Sequence, residues 1–268
     1  MRAAVLYEPN KPLVFEDLIL EDPHPGEVLV RIAATGACYS DYHMMDGSWH
    51  DPPYPPLPVV LGHEASAVVE AIGPNVTLVK PGDHVILSFA PSCGRCRFCV
   101  SGEPHLCCGF PGPPGTLTDG TRRLRKGTRE INHFARMSSF AEQAVLHESQ
   151  TIPIRKDMPL DRAALIGCAV TTGVGAVLNT ARMSPGATMA VFGTGGVGLN
   201  VIQGGRLAGA IRIIAVDLKD NKLEYARELG ATDRVNSSRE DPVAAIQRLT
   251  DGWGVDYAFD AIGLPQVS

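Results

Sequence analysis

Four cysteines in one short stretch have the spacing of metal ligands: Cys93, Cys96, Cys99 and Cys107. Thiolates at this spacing can surround one Zn²⁺ ion tetrahedrally, and four protein ligands close its coordination shell. Residues 93–120 are rich in Cys, Gly and Pro and cannot build a core of their own, so the metal would supply folding free energy. An iron–sulfur cluster is the alternative, but the run lacks the Cys-Pro ending of bacterial ferredoxins. The spacing therefore predicts a structural zinc lobe at about residues 91–110.

A second turn carries the glycine fingerprint of a dinucleotide site, with the residues Gly193, Gly195, Gly196, Val197 and Gly198. It follows a short apolar strand and opens a helix, where missing side chains let a pyrophosphate approach the backbone amides. Asp217 ends the next predicted strand, where its carboxylate can bind ribose hydroxyls and repel a 2′-phosphate. Lys222 is a candidate to contact the same ribose; the alternative is that it is simply an exposed lysine on a helix. The pattern favours NAD over NADP, and a glycine-rich turn without a ligand is the alternative.

A third stretch, from Gly36 to His43, packs several reactive side chains into one short loop. The thiolate of Cys38 can hold zinc, and the hydroxyl of Ser40 can pass a proton to the imidazole of His43. The carboxylate of Asp41 can orient another metal ligand. From this stretch alone, a buried structural thiol is the competing interpretation.

The elements that must position these residues differ between the two halves of the chain. Before about Leu160 the apolar runs are short and bounded by Gly and Pro, which predicts strands and no helix of ordinary length. These strands are expected at 2–7, 27–34, 59–72, 85–89 and 140–146. Asp161 is a plausible N-cap for an apolar helix that follows.

Beyond residue 184 strands and helices alternate. Strands are expected at 188–192, 211–216, 234–236 and 257–261, and helices at 197–207, 221–229 and 242–249. A βαβαβαβ order predicts a parallel, doubly wound sheet. The fold class is therefore α/β, with a β-rich domain followed by a nucleotide-binding domain.

Taken together, the motifs resemble the zinc-dependent medium-chain dehydrogenase/reductase family, in its alcohol dehydrogenase branch. The matching pieces occur in the family's order and span nearly the whole chain: Gly36 to His43, Gly62-His63-Glu64, the four-cysteine lobe, Gly167 to Gly175 and Gly193 to Gly198 with Asp217. The resemblance implies a GroES-like catalytic domain and a Rossmann domain.

The resemblance also implies a catalytic zinc ion held by Cys38, His63 and Cys168. Two thiolates and one imidazole leave a coordination position for a substrate oxygen, so the metal can act as a Lewis acid. Asp41 would hold the other ring nitrogen of His63, and Glu64 would sit behind the metal.

Hydride would then leave the carbinol carbon for the nicotinamide. By resemblance, Ser40 takes the alcohol proton and passes it through the cofactor ribose to His43, while Thr172 contacts the nicotinamide side. Tyr39 occupies a cofactor position where relatives often carry a basic residue, so a charged contact to the pyrophosphate is missing there.

Four residues match substrate-pocket positions: Phe89, Phe134, Ala135 and Trp49. An apolar pocket suggests a primary or aromatic alcohol and its aldehyde, although these side chains can also be read as ordinary core residues. The alternatives within enzymes are an S-(hydroxymethyl)glutathione/formaldehyde dehydrogenase and a polyol dehydrogenase. A non-catalytic zinc-binding fragment is the alternative of another class.

We expect two domains, a GroES-like domain at 1–169 and a Rossmann domain at 170–268. A complete dinucleotide fold has six strands, whereas this chain stops after its fourth, so a C-terminally truncated member is expected. The full-length form is expected to be a homo-oligomer.

The overall composition excludes other classes of function. A net charge of −5 in 268 residues argues against a nucleic-acid partner, and a basic stretch at residues 122–129 reads as a solvated loop. No secretory signal or membrane span is expected, which points to a cytoplasmic protein. The seven cysteines are then expected to remain reduced, and Cys108 is surplus to both predicted metal sites.

Overall fold

The computed structural model describes residues 1–49, 55–110 and 112–264. It divides into two compact units, Met1–Cys168 and Ala169–Ser268. The predicted boundary lies one residue later, and residues 265–268 of the predicted second domain lie outside the described residues.

The first unit is built mainly from short strands. They are β1 (Arg2–Leu6), β2 (Val14–Asp17), β3 (Ile19–Leu20), β4 (Glu27–Thr35), β5 (Val59–Val60), β6 (Ala65–Ile72), β7 (His84–Leu87), β8 (Leu124–Lys126), β9 (Arg129–His133), β10 (Gln143–His147) and β11 (Thr151–Pro153). The α-helices are α1 (Tyr39–Asp46), α2 (Arg97–Val100) and α3 (Leu160–Ala163), with 3₁₀ turns at Pro104–Leu106, Phe134–Arg136, Glu148–Gln150 and Ala164–Gly167.

These strands form two sheets. One has the order β2-β1-β5-β9-β8-β3, and the other has the order β10-β4-β6-β7-β11. Alternate residues of β4 and β6, such as Val28, Val30 and Ala67, are buried in one core, as the two-residue period of a strand requires. At the end of this ladder the backbone N–H of Gly36 donates to the carbonyl of Glu64 (2.7 Å), which brings the loops after β4 and before β6 together.

The second unit is a parallel sheet with helices on both faces. Its elements are α4 (Ala169–Gly175), which continues as a π-helical turn at Ala176–Thr180, β12 (Thr188–Phe192), α5 (Gly196–Leu207), β13 (Arg212–Asp217), α6 (Asp220–Glu228), β14 (Asp233–Asn236), α7 (Pro242–Leu249) and β15 (Tyr257–Asp260). The strand order is β14-β13-β12-β15, with parallel pairing throughout. The predicted α/β class is confirmed.

Alternation along the central strands explains this layering. Met189 and Val191 of β12 enter one apolar core, whereas Ala190 between them enters the opposite core. α5 and α6 cover the first core and α7 covers the second. Asp241 caps α7 by accepting the backbone N–H of Ala244 (2.8 Å).

Two expectations about local structure are wrong. Asp161 lies inside α3, whose N-cap is Pro159, so its side chain does not begin the helix. The basic stretch is not a loop, because it forms the β8–β9 hairpin; its residues 126–129 are exposed as expected, but Arg123 at its start is only 1% exposed. Arg123 donates to Glu27 (2.8 and 3.0 Å) and to Asp119 (2.5 Å), so its charge is paired inside the protein.

Among the described residues, no single helix is long and apolar enough to cross a membrane; only two short helices joined across a break reach the necessary length and composition.

Candidate active site

Three side chains that are remote in sequence converge in the first unit: Cys38, His63 and Cys168. One ligand atom from each lies within 4.8 Å of the others. The two sulfurs are 3.8 Å apart, too far for a disulfide bond of about 2.05 Å. Two zinc–sulfur bonds of about 2.3 Å at a tetrahedral angle place the sulfurs about 3.8 Å apart. The donor set and its spacing therefore fit one zinc ion.

Each of the three side chains is presented by a break in regular structure. Cys38 is the N-cap of α1, with an extended backbone (φ −99°, ψ 156°). His63 follows Gly62, which must be glycine for two reasons. Its φ is positive (91°), and a Cβ on Gly62 would lie 2.5 Å from the ring of Phe140. Cys168 follows the 3₁₀ turn Ala164–Gly167 and precedes α4.

Asp41 connects the loop that carries Cys38 to the loop that carries His63. Its side chain is buried, and Oδ1 accepts the backbone N–H of Gly62 (2.9 Å) and lies 3.3 Å from His63 Nδ1. Oδ2 accepts the backbone N–H of Cys38 (3.1 Å). A carboxylate on Nδ1 leaves Nε2 of His63 available to a metal and fixes the ring orientation.

The electrostatics of the centre favour the ligand form of the thiol. The hydrogen bond from Cys168 and the bond to His63 outweigh burial and lower the pKa of Cys38 to about 3. Burial alone would lower the pKa of His63, but Asp41 and Cys38 outweigh it and raise that pKa to about 9. The lowered pKa of Cys38 favours the thiolate that binds a metal, whereas the raised pKa of His63 makes metal binding at this imidazole compete with a proton.

The remaining predicted residues of this region lie around the centre. Ser40 Oγ is 3.8 Å from Cys38 Sγ. His43 lies one helical turn further along α1, with its ring stacked on Trp49 (5.4 Å) and edge-on to Tyr39 (4.7 Å). Glu64 is 3% exposed and lies against Gly36, where a Cβ would be 2.9 Å from the Glu64 carboxyl carbon.

Aromatic rings border His63 on two sides. Phe89 and Phe134 meet the imidazole edge-on, with ring centroids 5.9 and 5.4 Å away. Phe134 is buried, Phe89 is exposed, and Ala135 beside Phe134 adopts a left-handed backbone (φ 51°). These contacts make an apolar border on one side of the centre.

The four-cysteine lobe forms a second compact sulfur cluster. Its Sγ–Sγ distances are 3.5 Å for Cys96–Cys99, 3.9 Å for Cys96–Cys107 and 4.0 Å for Cys93–Cys99, and all four sulfurs lie within 4.8 Å of one another. These distances scatter around the tetrahedral value of about 3.8 Å. Cys108 is exposed and outside this set. The four thiols therefore fit a closed zinc site.

Backbone amides point at the sulfurs of the lobe. The N–H groups of Cys96 and Gly109 donate to Cys93 Sγ (3.3 Å) and Cys107 Sγ (3.4 Å) respectively. Backbone N–H groups lower the pKa of Cys96 to about 5, whereas burial and its thiol neighbours raise that of Cys99 to about 11. These opposite shifts mean that the lobe thiols do not ionise equally readily, and a bound cation would favour the thiolate form of all four.

In the second unit the glycine-rich turn has the expected form. Gly193 has a φ of 88°, and a Cβ at Gly198 would lie 1.8 Å from the Gly193 carbonyl oxygen, so neither position tolerates a side chain. Gly195 is the N-cap of α5, and the space where its Cβ would be is empty. Gly196 and Val197 form the first turn of α5, whose amides face an incoming anion.

Asp217 at the end of β13 makes more contacts than the sequence indicates. Its Oδ2 accepts both the backbone N–H and the hydroxyl of Thr194 (2.9 and 3.0 Å), and its Oδ1 accepts the N–H of Lys219 (3.1 Å). Lys222 Nζ lies 3.9 Å from Oδ2. Thr194 is not among the predicted site residues, although its place inside the glycine fingerprint is a signal that could have identified it. Thr172 lies on α4 and is exposed.

Comparison with known proteins places this geometry in a family. The profile described as "Alcohol dehydrogenase GroES-like domain" matches residues 24–156, and "Zinc-binding dehydrogenase" matches residues 196–268. An alcohol dehydrogenase zinc-binding domain protein from Burkholderia ambifaria is 41% identical, with a TM-score of 0.91 over 99% of this chain and 71% of that chain.

The chain belongs to the zinc-dependent alcohol dehydrogenase branch of the medium-chain dehydrogenase/reductase family.

Two other solved members of this alcohol dehydrogenase family are similar over nearly the whole chain. Benzyl alcohol dehydrogenase from Acinetobacter calcoaceticus is 39% identical, with a TM-score of 0.89 over 99% of this chain and 71% of that chain. An alcohol dehydrogenase from the archaeon Aeropyrum pernix is 34% identical, with a TM-score of 0.80 over 98% of this chain and 72% of that chain. The expected GroES-like and Rossmann-like folds and the class of alcohol dehydrogenase-type oxidoreductases are confirmed.

Proposed function

We propose that this protein oxidises primary and aromatic alcohols to aldehydes, and catalyses the reverse reaction, with NAD as the hydride acceptor. The observation that carries the proposal is the convergence of Cys38, His63 and Cys168. Three protein ligands of this kind leave one coordination position for a substrate oxygen, which distinguishes a catalytic zinc site from the closed four-cysteine site.

Cys38, His63 and Cys168 would hold the catalytic zinc ion, and Cys93, Cys96, Cys99 and Cys107 a second, structural ion. When bound, zinc supplies Lewis acidity at the alcohol oxygen, and NAD supplies a hydride acceptor. Asp41 keeps His63 oriented through its bond to Nδ1, and Glu64 lies behind the loop that carries Cys38. These residues set the position of the reacting oxygen.

Ser40 and His43 handle the proton. Ser40 accepts it from the alcohol hydroxyl, and His43, one turn along α1, passes it toward solvent. Among the described residues, the Nδ1 atom of His43 is buried without a hydrogen-bond partner, so it is available to an incoming donor. Trp49 and Tyr39 hold the His43 ring from two sides.

Phe89 and Phe134 give the pocket its preference for apolar alcohols, with Ala135 and Trp49 as further lining residues. Edge-to-face contacts with His63 place both rings beside the reacting centre. The similarity to a benzyl alcohol dehydrogenase supports an aromatic substrate.

NAD would bind the second unit. The amides of Gly195 to Gly198 would receive the pyrophosphate, and Asp217 with Lys222 would receive the adenosine ribose. Thr172 on α4 is the proposed contact on the nicotinamide side. The reduced state of the seven thiols suits a reducing compartment such as the cytoplasm.

Metal analysis, NADH titration and a substrate screen together test the proposal. We expect two zinc ions per chain, quenching or enhancement of NADH fluorescence on binding, and NADH production with benzyl alcohol. Cys38→Ser should abolish turnover and remove one zinc ion, whereas Cys108→Ser should change neither. Zinc without nucleotide binding would instead support a non-catalytic fragment, and turnover restricted to S-(hydroxymethyl)glutathione or polyols would replace the proposed substrate.

A further inference from the structure

Arg136 belongs to an unusually strained turn that the proposed chemistry does not use. Ala135 (φ 51°) and Arg136 (φ 58°) are both left-handed, and Ser138 (φ 68°) follows two residues later. Residues other than glycine rarely adopt this conformation, and it persists only where surrounding contacts determine it. The contacts of this turn therefore indicate what it is for.

The guanidinium of Arg136 holds the turn against another segment of the chain. It donates to the carbonyl oxygens of Leu117 (2.7 Å), Phe110 (3.3 Å) and Gly112 (3.4 Å). All three acceptors belong to the segment through which the chain leaves the four-cysteine lobe. The planar, multiple-donor shape of a guanidinium suits such a clamp.

The path of that segment depends on the sulfur cluster. Gly109 donates its N–H to Cys107 Sγ, and a Cβ on Gly109 would lie 2.2 Å from Cys93 Sγ. The backbone thus passes directly over two of the sulfurs immediately before it reaches Phe110. The position of the Phe110 carbonyl therefore follows from the geometry of the lobe.

The other end of the strained turn contacts the three-ligand centre. The buried ring of Phe134 meets His63 edge-on at 5.4 Å. Ser138 Oγ accepts the N–H of Phe134 (3.2 Å), and the N–H of Ser139 donates to the carbonyl of Gly62 (3.0 Å), directly before His63. A displacement of the turn would move both the aromatic border and the backbone that carries His63.

We propose that Arg136 is a positioning residue that couples the four-cysteine lobe to the Phe134 side of the substrate pocket. The inference rests on the proposed function, in which the lobe binds zinc and Phe134 lines the pocket. Loss of the lobe metal displaces the Phe110 and Gly112 carbonyls, so Arg136 loses two of its three acceptors and keeps only Leu117, and the left-handed turn relaxes. The lobe then contributes to substrate selection as well as to folding.

Hydrogen exchange of residues 134–139 tests the coupling in the full chain, with every protein prepared in the presence of zinc. Four proteins are compared: wild type, Cys107→Ser, Arg136→Met and the double variant. We expect either single change to accelerate exchange in this segment by roughly fivefold or more. The double variant should exchange no faster than Arg136→Met, because both changes break the same connection. Arg136→Lys, which keeps the charge but not the planar donor set, should be intermediate.

Steady-state kinetics provide a readout that a purely structural role would not change. Arg136→Met should raise KM for a bulky aromatic alcohol by roughly tenfold, while kcat and the KM for a small aliphatic alcohol change little. Arg155→Met is the matched control, because Arg155 is exposed and, among the described residues, forms its ion pair with the nearby Asp157. It should leave exchange and kinetics unchanged.

The outcomes separate this inference from the proposed function. Fewer than two zinc ions in the wild type would contradict the proposed function. Two zinc ions in the wild type would leave the proposed function intact. The coupling alone would then be overturned if Cys107→Ser did not change the exchange rate of residues 134–139, or if its effect and that of Arg136→Met were additive.

Discussion

Asp41 connects two parts of the proposed catalytic centre through a single buried carboxylate. It accepts the N–H groups of Cys38 and Gly62 and lies 3.3 Å from His63 Nδ1. One side chain therefore sets the backbone around one ligand and the ring orientation of another. Most carboxylates on a helix surface contact solvent, whereas Asp41 holds the positions of two proposed metal ligands.

Asp41→Asn should lower the affinity of the three-ligand site for zinc by roughly 10- to 100-fold, because an amide cannot accept all three contacts. Competition with a chromophoric chelator measures this affinity. Asp46→Asn, at the other end of α1, is the matched control and should leave the affinity unchanged. Equal zinc affinity in the two variants would show that the Asp41 contacts are not needed for metal binding.

Thr194 fixes the carboxylate that is proposed to read the adenosine ribose. Thr194→Val keeps the shape of the side chain but removes the hydroxyl bond to Asp217 Oδ2. We expect NADH to bind roughly tenfold more weakly and the preference over NADPH to shrink, since the carboxylate keeps only its two backbone N–H donors and is held less firmly in one orientation. Fluorescence titrations with both nucleotides measure this. Thr194→Ser should retain the wild-type preference, and loss of preference in both variants would exclude a role for the hydroxyl.

At the residue scale, what the sequence reveals depends on separation along the chain. The four cysteines of the lobe and the glycines of the fingerprint are close neighbours, so their spacing alone predicts a shared site. Cys38 and Cys168 are 130 positions apart, and only the resemblance to a family connects them with His63. Thr194 and Arg136 act through contacts that no local pattern encodes.

At the scale of elements, the short helices were the hardest to predict. α1 has eight residues, of which only Asp41 and Met44 are buried, so it shows no apolar stripe. Met44 enters an apolar core, whereas Ser40, Asp41 and His43 lie around the three-ligand centre. The β8–β9 hairpin also lacks a recognisable apolar pattern. Its sequence is basic, and nothing in that sequence indicates that Arg123, directly before β8, is buried in an ion pair with Glu27.

Strand β9 ends in a histidine whose titration should control acid stability. Burial, with Arg123 as the next cause, lowers the pKa of His133 from 6.5 to about 3. Below pH 6.5, His133 binds a proton in the unfolded chain but not in the folded chain. The free energy of unfolding should therefore fall by about 1.4 kcal/mol for each unit by which the pH is lowered. This loss continues as the pH approaches the folded pKa.

His133→Gln should flatten that pH dependence, because the amide does not titrate. Urea unfolding of both proteins is followed through Trp49 in a Trp253→Phe background, so that the signal comes from the first unit. The quantity compared is the difference in the free energy of unfolding between the two proteins, from pH 6.5 to about pH 5. Release of metal by acid affects both proteins equally and therefore does not contribute to this difference. Parallel pH curves would show that His133 is not the titrating group.

At the scale of the whole molecule, each unit has its own apolar cores and its own proposed ligand. All seven proposed zinc ligands belong to Met1–Cys168, and the glycine fingerprint with Asp217 belongs to Ala169–Ser268. The parallel sheet was predicted closely, because its strands and helices alternate with regular periods. The first unit was predicted less completely, because strands of two to five residues such as β3 and β8 are too short to show a period.

Ligands should therefore stabilise the two units separately. NADH at 100 times its Kd should slow exchange in β12 and β13 by up to about 100-fold, whereas zinc removal should accelerate exchange mainly in β4 and β6. Hydrogen exchange with mass spectrometry resolves these strands in one experiment. An equal response of all four strands to either ligand would contradict separate stabilisation.

Cys168, the third proposed ligand of the catalytic zinc ion, is also the last residue of the first unit. During synthesis all seven proposed metal donors are therefore translated before β12 begins at Thr188. The complete set of donors thus exists before the nucleotide-binding sheet has been made, so we expect that metal binding does not have to wait for the cofactor-binding unit.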